Sequence, residues 1–240
     1  MIFHCLFEQS GTFKNVFIKN GHKAFDYDIL NDYGQTDYQI DLFNEIEKEF
    51  DNLIDNTNYQ TIFSKMTLDN DFIIAFFPCT YFCDFNKLIF RLQNSQKPGV
   101  KAEFNKLNIE KVIHRNQERA KYFEIYLKFC YICKQKQLKC IIENPASGGN
   151  SNYLVMFSPI NVAWYEKDRS LFGDKFKKPT NYFAINFDMK EDFMMFSQIS
   201  EKQNIMKKRG CRERSEISSL YAENFYKRFL ESNCKRSRYE

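Results

Sequence analysis

From Asp71 to Phe77 the chain runs Asp-Phe-Ile-Ile-Ala-Phe-Phe, apolar after its first residue and without alternation. A half-exposed strand alternates polar and apolar residues, and a surface helix keeps a polar face. An unbroken run this short therefore reads as a strand buried on both faces, the habit of parallel sheets. Leu138 to Glu143, apolar apart from Lys139 until its last residue, reads as another buried strand, ending at Asn144-Pro145. Ile2 to Phe7, Lys23 to Asp28 and Asn181 to Phe187 also suit strands. Helical patterns alternate with them: Phe13 to Lys19, with Phe13, Val16 and Phe17 on one side, then Asp41 to Ile54, Glu110 to Gln137, and Ser215 to Ser232 with Ser215 as cap. Strand, turn, helix, strand, repeated, predicts an α/β fold: a mostly parallel sheet with helices on both faces. No linker or internal repeat divides residues 1–240, so a single domain is expected.

Composition agrees with a packed core. Of 240 residues, 43% are hydrophobic, and 26 Phe with 14 Tyr exclude a disordered chain. Eight Gly and five Pro exclude collagen-like and linker-like sequences. The apolar runs are too short to cross a bilayer, and Met1-Ile-Phe-His-Cys-Leu-Phe7 has no basic segment of the secretory kind. The expectation is an intracellular chain with no membrane partner, whose eight cysteines are thiols. The net charge of +4 is modest, but from Asn204 onward ten Lys/Arg stand against five acids. That stretch, with Lys207, Lys208, Arg209 and Arg212, reads either as a solvated surface or as a phosphate-facing edge.

In an open parallel sheet, ligands bind beyond the carboxyl ends of the strands. Four such ends carry polar residues here. The first has Ser10-Gly11-Thr12 entering a helix whose N–H groups face the turn. The second ends at Asp28, 17 residues past Gly11, near the spacing of a ribose-binding acid. The third is Pro78-Cys79, where a thiol at the start of a loop is either a small buried hydrophobe or a nucleophile. The fourth is Glu143-Asn144-Pro145, whose carboxylate is suited to sharing a proton with a ring nitrogen. Cys79 with Cys83, and Cys130 with Cys133, have zinc-like spacing. The second pair falls on core positions of a helix pattern, so no metal is assigned.

At these residues the chain resembles the DNA (cytosine-5) methyltransferases, in particular their short phage-type members. The family's cofactor turn is similar to Leu6-Phe7-Glu-Gln-Ser10-Gly11-Thr12-Phe13, with its second Gly absent. Its ribose-binding acid falls on Asp28, its adenine-packing residue on Ile29, and its next acid on Asp41-Leu42. Asp71 to Cys83 resembles the nucleophile segment, with Pro78-Cys79 at its centre and Cys83 where Ser is usual. Ile141-Ile-Glu-Asn-Pro145 resembles the Glu-Asn motif. Asp168-Arg-Ser, Gly173 to Asn181, and Arg214-Ser-Glu-Ile217 resemble segments of the small phage members. Asn181 stands near where larger members carry an Arg that holds the cytosine O2.

The resemblance implies a Rossmann-like S-adenosylmethionine-dependent methyltransferase fold without a separate large target-recognition domain. It implies methylation of cytosine C5 in DNA, with Cys79 as nucleophile and Glu143 binding the flipped base. S-adenosylmethionine is the expected cofactor, held by Phe7, Ser10, Gly11, Thr12, Asp28, Ile29, Asp41, Leu42 and Pro78. DNA is the expected partner, met by Asn144, Pro145, Thr180, Asn181, Lys207, Lys208, Arg209 and Arg212. The polar stretch after Cys83, with Lys87, Arg91, Lys97, Lys101 and Lys106, reads equally as a mobile loop closing over the site or as a solvated loop with no such role. A monomer or transient dimer acting in the cytoplasm, the host's if phage-encoded, completes the expectation. Two other readings stay open: a methyltransferase-like binding protein without catalysis, and a zinc-dependent nucleic-acid-binding module.

Overall fold

A computed structural model describes residues 1–82, 90, 103–146, 152–192 and 216–236. Seven strands form one sheet: β1 (Ile2–Leu6), β2 (Lys23–Asp28), β3 (Tyr38–Gln39), β4 (Asp71–Ala75), β5 (Lys139–Pro145), β6 (Val162–Glu166) and β7 (Thr180–Ile185). Their spatial order is β3-β2-β1-β4-β5-β7-β6. The first five are parallel, with Leu6 beside both Tyr27 and Ala75, and Ala75 beside Ile142. The chain moves outward from β1 to β3 and then returns to β4, so the switch point lies between β1 and β4.

The sheet is not parallel throughout. β7 runs antiparallel to β5, pairing Glu143 with Tyr182 and Asn144 with Asn181, and β6 is antiparallel to β7. The physical reason is the short β6–β7 link. It holds only a single-turn 3-10 helix, Arg169–Phe172, where a parallel return needs a full crossover. The fold is thus α/β with a mostly parallel sheet, as expected, ending in a reversed pair.

The helices are α1 (Thr12–Lys19), α2 (Leu42–Ile54), α3 (Glu103–Gln135), α4 (Tyr153–Phe157), α5 (Ser219–Phe229) and α6 (Glu231–Arg236). α3 begins within the stretch expected to be loop, so Lys106 is helical. Ser218 caps α5 by accepting from the Tyr221 N–H; Ser215 lies outside the described residues. Because side chains alternate across a strand, each central strand feeds two cores. Leu6, Ile73, Cys140, Ile142 and Phe183 face α2 and α3, while Phe3, Cys5, Ile74, Ile141 and Tyr182 face α1 and α5. Cys130 and Cys133 are buried on α3 among the first set.

Arg228 of α5 fastens the reversed pair from behind. Fully buried, it reaches Glu166 of β6 at 2.9 Å and Glu191 at 2.6 Å, with its guanidinium 3.4 Å from the Phe172 ring centre. No helix among the described residues is long and apolar enough to cross a membrane.

Candidate functional site

The β1 end is closed by its own residues. Gly11 precedes α1 at φ 66°, and an added Cβ would lie 3.1 Å from Cβ of Gln35, so both the backbone and the packing favour glycine. No side chain at Gly11 caps the helix. Glu8 does so from three residues upstream, accepting from the Phe13 N–H at 2.8 Å and the Lys14 N–H at 3.4 Å. Ser10 Oγ adds a bond to Glu8 at 3.3 Å and meets the Thr12 hydroxyl at 2.9 Å. Burial pushes the Glu8 carboxyl up to about 7, against the pull of those amides. The α1 amides expected to face a ligand are therefore engaged by Glu8.

Beside this turn, Lys14 carries its ammonium inward to Asp26 at 3.0 Å and Asp37 at 3.1 Å, and donates to the Gln35 carbonyl. Asp26 also accepts from the Asp37 N–H at 2.7 Å. This knot ties the segment after β2 over the start of α1. Asp28 ends β2 half-buried, accepting from the Leu30 N–H at 2.8 Å, and burial raises its carboxyl above the ordinary range. Next to it Ile29 is 57% exposed, an apolar side chain free to meet a flat ring. Phe7, with φ 59°, turns the chain out of β1. Asp41 caps α2 through the Phe43 and Asn44 N–H groups, and Leu42 is a core residue.

At the β4 end, Phe77 is buried, and Pro78 and Cys79 are half-exposed. The Cys79 carbonyl accepts from the Phe82 N–H at 3.0 Å, and the Phe82 carbonyl from the Tyr153 N–H at 3.1 Å, which fixes the turn against α4. Cys83 lies outside the described residues.

The β5 end is polar and buried. On the α3 side, Asn144 donates toward the Phe77 carbonyl at 3.5 Å and accepts from Asn152 at 2.9 Å, while Asn152 also holds the Pro145 carbonyl at 2.7 Å. The Thr180 hydroxyl donates to the Lys178 carbonyl. Asn181, opposite Asn144 and fully buried, has no hydrogen bond at either amide atom among the described residues. On the other face Glu143, 6% exposed, has Oε1 3.6 Å from Nη1 of Arg169 and without a hydrogen bond. Asp174 ion-pairs with Nη2 of the same guanidinium.

One edge of the sheet thus gathers Phe7, Ser10, Gly11, Thr12, Asp28, Ile29, Pro78, Cys79, Glu143, Asn144, Pro145, Thr180 and Asn181. Asp41 and Leu42 serve α2 and the core. Lys207, Lys208, Arg209 and Arg212 lie outside the described residues, as do Lys87, Arg91, Lys97 and Lys101. Among the described residues no three His, Cys, Asp or Glu side chains are placed to hold a metal ion. Sequence reading passed over Glu8, Arg169 and Asp174. Each stood inside a quoted segment, but a contact between residues 143 and 169 leaves no trace in local spacing. Comparison with protein families finds no family that matches the chain, and comparison with curated proteins finds no relative.

Proposed function

We propose that this protein transfers a methyl group from S-adenosylmethionine to C5 of cytosine in DNA. The observation that carries the reading is that two reactive groups stand at the carboxyl ends of neighbouring strands. One is a half-exposed thiol, Cys79 after β4. The other is a carboxylate with an unmet acceptor, Glu143 in β5. The switch point between β1 and β4 is where an open α/β sheet leaves its ligand crevice.

The described residues fit the nucleoside part of the cofactor. Asp28 offers a half-buried carboxylate at the end of β2, and the exposed Ile29 beside it offers an apolar face. Phe7 and Pro78 follow the neighbouring strands β1 and β4 at the same edge. When bound, the cofactor supplies the methyl group. The chain's own residues make the ring able to take it. Cytosine C5 is a weak nucleophile. The Cys79 thiolate gives an electron pair to C6, and the pair of the C5–C6 double bond moves to C5. Glu143 holds the N3 and amino edge of the ring, where the displaced charge is felt. After transfer, C5 loses its proton, the double bond reforms and the bond to Cys79 breaks. The base has to leave the stack for the thiol to reach C6, so a duplex substrate must be flipped.

The test uses DNA in which every cytosine carries fluorine at C5, so that no recognised sequence is missed. With no proton to lose, the adduct persists. With S-adenosylmethionine present, a species that survives denaturing electrophoresis and maps to Cys79 is expected, and Cys79→Ala forms none. An adduct on another residue, or full transfer of tritiated methyl by Cys79→Ala, overturns the reading.

A further inference from the structure

Arg169 is fully buried and its charge is shared between two carboxylates. Nη1 is 3.6 Å from Oε1 of Glu143, and Nη2 meets Asp174. Its guanidinium lies 4.6 Å from the Tyr221 ring centre, and Tyr221 is hydrogen-bonded to Tyr182 at 2.6 Å. Tyr182 is the register partner of Glu143 on β7. Among the described residues these ion pairs and the stacking on Tyr221 hold the guanidinium. Its backbone is anchored as well: the Asp174 N–H returns to the Arg169 carbonyl at 3.2 Å, and Ser218 binds the Gly173 carbonyl at 2.6 Å. Burial works against the positive charge, but Asp174, Tyr182, Tyr221 and Glu143 outweigh it and hold the guanidinium protonated.

The groups that face Glu143 are therefore few. Arg169 and Asp174 come from the segment before β7, Tyr182 from β7 and Tyr221 from α5. Burial raises both tyrosine hydroxyls, which keeps them neutral. Among the described residues, the charge around Glu143 is set by one cation and one competing anion.

We propose that Arg169 is the positioning residue of Glu143, fixing its carboxylate at the strand end and setting how readily it takes a proton, with Asp174 as the counterweight. The inference rests on the reading of Glu143 as the group that holds the base. A purely structural ion triad moves the Glu143 midpoint by charge alone and leaves the pH–rate profile of the reaction in place. Positioning predicts that the profile follows the midpoint, with opposite signs. Arg169→Gln removes the cation that favours the ionised carboxylate, whereas Asp174→Asn leaves that cation to Glu143 alone. The feature that reports Glu143 in the pH–rate profile then moves up in the first variant and down in the second, whichever protonation state is the active one.

Two measurements test this. Carbon-13 NMR of the glutamate side-chain carboxyls follows Glu143 directly, its resonance assigned by its loss in Glu143→Gln. Methyl transfer to unmethylated DNA gives the pH–rate profile. The expected result is a Glu143 midpoint moved up in Arg169→Gln, moved down in Asp174→Asn, and near wild type in Arg169→Lys, with the pH–rate profile following it. If Arg169→Gln does not fold, the downward move in Asp174→Asn and the near-wild-type value in Arg169→Lys carry the test. Midpoints that stay put, or move the same way in all variants, overturn the proposal. Opposed NMR midpoints in a protein that methylates no DNA leave Arg169 as a counter-ion of Glu143 and overturn both the positioning and the reading of function. Transfer with identical profiles in every variant overturns the positioning alone.

Discussion

The two halves of the sheet edge treat buried charge differently. At the ends of β1 and β2 most polar groups answer one another: Glu8 caps α1, and Lys14 joins Asp26 to Asp37, with Asp26 Oδ2 left without a hydrogen bond among the described residues. At the ends of β5 and β7 more are left short: among the described residues Glu143 Oε1, Arg169 Nε and the whole Asn181 amide lack hydrogen bonds, and Arg169 Nη1 and Nη2 have ion-pair partners alone. A buried polar group without a partner costs about 1–3 kcal/mol. The two ends are thus satisfied to different degrees. Under the proposed reading the better-satisfied half is scaffold. The unmet half is where a ligand with donors and acceptors gains most.

The largest expected effect breaks the scaffold half. Lys14→Met strands Asp26 and Asp37 beside a missing cation, and destabilisation of about 3–5 kcal/mol follows for a buried pair broken on one side. Adding Asp26→Leu to it should recover part of the loss. Urea unfolding midpoints check both. A Lys14→Met protein as stable as wild type would show that the knot is incidental.

Next comes Glu8→Gln. In the folded chain this carboxyl keeps its proton to about 7, against an ordinary value of 4.5. Its folded value is raised, so its contribution to stability is full below about 4.5 and lost as pH rises through 7. The neutral Gln lacks this slope. The stability of wild type relative to Glu8→Gln should therefore fall between pH 5 and pH 8 by on the order of 2–3 kcal/mol. A difference flat in pH would mean that Glu8 titrates normally and that the α1 cap is open to water.

The smallest effect is the sharpest contrast. Asn144 and Asn181 sit opposite each other, yet only Asn144 is bonded. Asn144→Leu should lose about 1 kcal/mol in thermal unfolding, and Asn181→Leu should gain a similar amount by removing an orphaned amide. Under the proposed reading the stabler Asn181→Leu protein also methylates DNA more slowly. Equal signs for the two substitutions would erase the difference between paired and unpaired amides on this seam.

Much of the fold was legible in the chain. Phe72–Phe77 is apolar on every residue, and Leu138–Ile142 on all but Lys139, because both faces of their strands are covered, and that pattern is local. Asp41 as a cap and Phe13, Val16 and Phe17 as a buried face follow from the spacing of side chains along a helix. The strand ends at Asp28, Pro78-Cys79 and Glu143-Asn144 were readable for the same reason, since a strand that stops at a polar residue marks the sheet edge.

What only the tertiary structure decided is who meets whom. β3 and β6 are short or mixed in character, and the reversal of β7 depends on how far residues 167–179 can reach, which no periodicity records. The turn at Ser10-Gly11-Thr12 looked open because its helix follows at once. Its amides are taken by Glu8, and its glycine lies under Gln35 from another loop. Arg169 is an unremarkable arginine in the chain and a fully buried counter-ion in the fold, because Tyr221, Asp174 and Glu143 reach it from separate segments. Periodicity and capping are written within a few residues, so the sequence alone determines them. Coulomb and packing partners are chosen by distance in space, and only the folded chain sets that distance.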